Sequence, residues 1–98
     1  MRKIFKYKLN VSYDGMVNTW DPVQGIQMPY GAKILSVGIQ GGEAVLWALV
    51  DPENIVTMDK RKIYIVNTGG ELGDQFDGRR FIGTLIFGSG GFILHVFE

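Results

Sequence analysis

The sequence predicts an all-β domain, mainly antiparallel: a small sandwich or bent barrel of six or seven strands with at most one short helical turn. Three observations carry this. Two apolar runs, KILSVGIQ and EAVLWALV, meet at Gly41-Gly42, and adjacent glycines supply the positive φ values that a two-residue hairpin turn requires. A second pair, FIGTLIF and FILHVF, meets at Gly88-Ser89-Gly90-Gly91 in the same manner. No window of helical length carries a capped 3.6-residue pattern. In the ambiguous run Glu43–Val50, residues Ala44, Leu46, Ala48 and Leu49 favour helix locally, but the glycine turn leading into it decides for strand.

The opening stretch alternates Phe5, Tyr7, Leu9 and Val11 with Lys6, Lys8 and Asn10, the period-two pattern of a strand with one face in water. Ser12-Tyr13-Asp14-Gly15 reads as a turn. Residues 16–28 are polar around Trp20 and Asp21-Pro22 and read as a short strand or irregular excursion, ending at a Pro29-Tyr30-Gly31 corner. After the central hairpin, residues 52–59 form a connection and residues 61–66, RKIYIV, a β-branched and aromatic strand. Residues 67–78, NTGGELGDQFDG, are too rich in glycine and acidic residues for a strand; they form the longest loop, with one helical turn around Asp74–Phe76. The closing hairpin completes a single domain over residues 1–98.

Composition narrows the function classes. With no cysteine, disulfides and thiolate zinc sites are excluded, and the 46% aliphatic and aromatic content suits a globular fold. A formal net charge of zero gives no pull towards long nucleic acid. No apolar run approaches the ~20 residues that span a bilayer, and no apolar segment follows the basic start MRKIFKYKLN. The expectation is a cytosolic protein away from membranes.

His95 is the only histidine, and no neighbouring nucleophile or carboxylate equips it for acid–base work, so it reads as structural and no catalytic residue is nominated. A metal site is not expected: Asp74 and Asp77 lack the ligand order of a calcium loop, and no cofactor motif is present. Thr68-Gly69-Gly70 has the composition of a backbone nest for an anion, without a Walker lysine or a dinucleotide fingerprint. Lys60, Arg61, Arg79 and Arg80 lie near glycine loops and aromatics, which is how phosphates and bases of a small nucleotide are held. The candidate ligand residues are therefore these four, with Trp20, Tyr30, Thr68, Gly69 and Gly70. Trp47 is expected in the core, its indole N–H tied to a backbone carbonyl, whereas Trp20 and Tyr30 are expected at a contact surface.

The segments MPYGAKILSVGIQGGEAVLWALVDPE, RKIYIVNTG, FIGT and GGFILHVFE, with the opening KIFKY, resemble a family of small bacteriophage and prophage proteins. Gly70-Glu71 stands where that family's pattern has His-Pro, and Leu94 where it has tryptophan, so no loop histidine role is carried over. The resemblance implies action in the host cytoplasm and supplies no activity. Three functions fit: an anti-defence sponge for a nucleotide-derived immune signal, a protein-binding inhibitor or virion accessory, and an enzyme degrading such a nucleotide. Binding without turnover is preferred because one isolated histidine leaves the chemistry unstaffed. A homo-oligomer, most simply a two-fold dimer, is expected through Phe92–Phe97 or the opening strand, since Phe92, Ile93, Leu94, Val96 and Phe97 are apolar on both strand faces.

Overall fold

Gly41 and Gly42 adopt φ of 59° and 80°, the left-handed values that a tight hairpin turn demands. The runs on either side pair accordingly. The computed structural model describes residues 1–14, 17–88 and 90–98. Within these, strands form at β1 (Lys3–Lys8), β2 (Val11–Tyr13), β3 (Asn18–Trp20), β4 (Val23–Pro29), β5 (Lys33–Gln40), β6 (Glu43–Val50), β7 (Met58–Asn67), β8 (Phe81–Phe87) and β9 (Phe92–Phe97). Short 3₁₀ turns occupy Pro52–Val56 and Asp74–Phe76. The strands make three antiparallel sheets, in the orders β1-β6-β5, β2-β3 and β4-β7-β9-β8. The chain is thus all-β, as its turns and periodicity predict.

Both larger sheets turn one face to a shared core. Ala44, Leu46, Ala48 and Val50 of β6 meet Ile63, Ile65, Leu85, Leu94 and Val96 of the second sheet. Along β5 and β8 the sheets lie too close for face-to-face stacking, which needs ~10 Å. Gly83 permits this contact: a Cβ there would press at 3.0 Å on Val37 Cγ2. Arg80 adds a bond from its guanidinium to the Ile34 carbonyl at 2.8 Å. On another side, Gln24 holds the link between β1 and β2, accepting from Asn10 N–H at 2.8 Å and donating to the Asn10 carbonyl at 2.9 Å.

Several expectations are corrected. Residues 18–28 are more regular than their composition suggests: β3 closes a small hairpin with β2, and all of β4 pairs with β7. Ser12 and Tyr13 lie in β2 and not in a turn; Gly15 and Met16, and Ser89 of the closing turn, fall outside the described residues. Trp47 sits opposite the core face of β6, half-buried against Gly38, where a Cβ would stand 2.8 Å from its ring. The indole tied to a backbone carbonyl is that of Trp20, which donates to the Ile65 carbonyl at 3.2 Å.

The apolar surplus of β9 is met within the chain. β9 is a central strand, flanked by β7 and β8, so it offers no free edge. On its outer face Phe97 packs edge-on against Phe76 at 5.5 Å and Phe81 at 5.4 Å between ring centres. Phe76 of the loop thus packs on Phe97, one of the residues on the face that suggested a dimer.

Tyr7, on the core side of β1 opposite Leu46, gives a pH prediction. Burial raises its phenol pKa above the ordinary 10.0, because the ionised form is poorly solvated there. Stability linked to the neutral phenol is complete below the unfolded-chain value and is lost as pH rises through the higher folded value. Urea midpoints should consequently fall more steeply above pH 10 for the wild type than for Tyr7→Phe. Equal slopes would remove Tyr7 from the alkaline transition.

Candidate functional site

Residues 68–80 fold back over the outer face of the four-stranded sheet because Phe76 finds aromatic partners there. Its ring meets Tyr64 at 5.7 Å as well as Phe97, and both project from the face opposite Ile63, Ile65 and Val96. The loop begins in a turn closed by Gly70 N–H on the Asn67 carbonyl at 3.0 Å, with Gly69 at φ 81°. Only glycine fits at position 70, where a Cβ would collide with the Asn67 side chain.

Three cavities surround this turn, and all share Asn67. The largest, about 410 Å³, is a cleft between β3 and the loop, walled by Asn18, Thr19, Trp20, Glu71, Gln75 and Phe76. Of about 280 Å³ and 210 Å³, the others lie towards Gly90-Gly91 and towards His95. Aromatic faces with amide and hydroxyl groups can take a planar hydrogen-bonding molecule. Among the described residues Glu71 is the one charged residue lining the large cleft, and none of them offers a cation to a phosphate in its interior.

The sequence-nominated residues are divided by the fold. Trp20 and Gly70 line the large cleft, and Thr68, Gly69 and Gly70 line the cavity beside His95. Tyr30, Lys60, Arg61 and Arg80 line none of the three. Tyr30 stands 63% exposed at the corner between β4 and β5. Arg61 and Arg80 converge on the Glu98 carboxylate, Arg80 at 2.8 Å, and Arg61 also donates to the Ala32 carbonyl at 2.6 Å. These two guanidiniums hold the fold together. Arg79 differs: it lies 4.4 Å over the Tyr64 ring and donates through Nε to the Gln75 carbonyl at 3.0 Å, behind the Gln75-Phe76 wall.

His95 is held between hydroxyls. Nε2 lies 2.8 Å from Thr68 Oγ1 and Nδ1 lies 3.2 Å from Thr84 Oγ1. A neutral imidazole donates through one nitrogen and accepts through the other, and rotatable hydroxyls serve both. The ring so placed ties the turn to β8 and β9. Among the described residues no group of three histidine or acidic side chains could hold a metal ion.

Sequence reasoning missed Asn18, Thr19, Asn67, Glu71, Gln75 and Phe76. Three-residue polar strands such as β3 show no period. Phe76 did carry a signal, being a lone aromatic within a glycine-rich acidic loop.

Residues 1–98 match the model of the family described as Domain of unknown function (DUF7352). The chain belongs to this family. No curated protein and no solved structure matches it. The match spans every element that builds the cleft, from β3 to the loop after β7, so the site lies wholly inside the family's domain.

Proposed function

We propose that this chain is a non-enzymatic binding protein that captures a small nucleotide-derived ligand without turnover, its ring in the cleft between Trp20 and Phe76. The observation that carries this reading is the 410 Å³ cleft with aromatic walls, amide and hydroxyl groups and a single charge. Such a lining favours a heterocycle inside and leaves a phosphate at the rim. We assign that phosphate to Arg79, whose Nε bonds the Gln75 carbonyl at 3.0 Å and which would swing from the Tyr64 ring to reach the rim. On the resemblance to phage proteins, we take the ligand to be an immune signal sequestered in the host cytoplasm.

Trp20 reports binding directly. In a Trp47→Phe background it is the only tryptophan, and its fluorescence should change saturably, with one ligand per chain, on titration with cyclic dinucleotides or ADP-ribose derivatives. Arg79→Ala should weaken phosphorylated ligands by roughly tenfold, the loss of one charge-assisted contact, and leave the parent nucleoside unaffected. Ligand released on denaturation should be intact. Absence of any signal across the panel would overturn the reading, and a chemically altered ligand would make the protein an enzyme.

A further inference from the structure

Each larger sheet has two end strands, and β5 and β8 lie against one another. The remaining ends, β1 and β4, are unlike in sequence. β1 carries Lys3, Lys6 and Lys8, the charges that discourage another strand from adding to an edge. β4, VQGIQMP, carries no charge in its seven residues. Its middle is exposed on the outer face at Val23, Gly25 and Gln27, while Gln24 and Met28 point to the core. Pro29 and the neighbouring 3₁₀ turn limit this edge, since Asn54 bonds the Tyr30 carbonyl at 3.4 Å.

Cations crown the edge. Lys62 stands directly opposite Gly25, and Lys60 opposite Gln27. Gly25 has no side chain, and the Lys60 chain fills that space: a Cβ on Gly25 would collide with Lys60 Cε. The Lys60 side chain thereby runs from β7 over the edge strand. Both lysines are exposed, and neither takes part in an ion pair among the described residues.

We propose that β4 accepts an extended acidic segment of a partner protein by strand addition, with Lys60 and Lys62 meeting carboxylates on its outward face. Backbone bonds to an edge give affinity, and side chains at alternate positions give specificity. Carboxylates every second residue would all fall on the lysine side. A second copy of this chain is disfavoured as occupant, because two-fold pairing of β4 with itself would set the same lysines against one another.

The test uses a fluorescein-labelled peptide of alternating valine and glutamate, read by anisotropy against the full chain. It should bind, weaken with rising salt, and lose affinity when alternate amides on one side are N-methylated. Lys60→Glu should weaken it by roughly fivefold or more and favour the matching valine–lysine peptide, a charge exchange that loss of folding does not produce. No binding of the acidic peptide, equal binding of both N-methylated forms, or a lack of preference exchange in Lys60→Glu would overturn the proposal. So would light scattering showing a dimer that the peptide cannot enter.

Discussion

Replacing Glu98 by alanine should lower the unfolding free energy by about 2–3 kcal/mol, the loss of two charge-assisted bonds discounted for partial exposure. The Glu98 carboxylate takes Arg61 on one oxygen and Arg80 on the other, and the two arginines also bond the Ala32 and Ile34 carbonyls. Three segments, at β5, β7 and the start of β8, therefore meet at one carboxylate. Its removal leaves two guanidiniums facing each other at the junction of the sheets. For a domain of this size the melting temperature should fall by roughly 10–20 °C in calorimetry. Arg80→Ala should also destabilise, by less, because Arg61 keeps its partner. If Arg80→Ala instead weakened ligand with an unchanged melting temperature, the junction would be decorative and the arginine a binding residue after all.

Leu94→Ala should cost about 3–5 kcal/mol, the range for leucines whose cavity cannot collapse. Leu94 is fully buried in β9, with Leu85 opposite it in β8 and Asn67 opposite in β7. Strands held on both sides cannot move in to fill the void. Since small domains are stable by only about 5–15 kcal/mol, this variant should unfold at far lower urea concentration. A loss under about 1 kcal/mol would mean that the core relaxes around the gap.

The parts of this fold legible in the sequence are those whose cause is local. Gly41-Gly42 defines the β5–β6 hairpin, the closing glycines define β8 and β9, and the acidic glycine-rich loop forms its one turn at Asp74–Phe76 as expected. β2, β3 and most of β4 were not legible. Their pairing is decided by partners far along the chain, as when Val23 pairs with Tyr64, and three-residue strands hold too few positions to show alternation. The partners of the arginines were hidden for a related reason. Arg61 and Arg80 have the same local sequence surroundings as ligand-binding residues, and only the fold brings Glu98 to them. Of the candidate site, Trp20 and the glycine turn were legible because an aromatic beside a proline corner and paired glycines are unusual in isolation. The cleft joining them is a tertiary object.

The order β4-β7-β9-β8 has a consequence for how the chain acquires its structure. The last strand in sequence is an interior strand of its sheet, so β7 and β8 have nothing between them until residues 92–97 arrive. β1 likewise waits for β6 before any partner exists, Lys3 pairing with Val50. During synthesis on the ribosome the β2–β3 and β5–β6 hairpins can form early from neighbours alone. Closing such long loops before contacts reward it is slow, so folding in milliseconds to seconds is expected, beginning at the two glycine-turned hairpins. Until β9 docks, the apolar strand β8 has no partner in its sheet, and that interval is when the nascent chain is most exposed to misassociation.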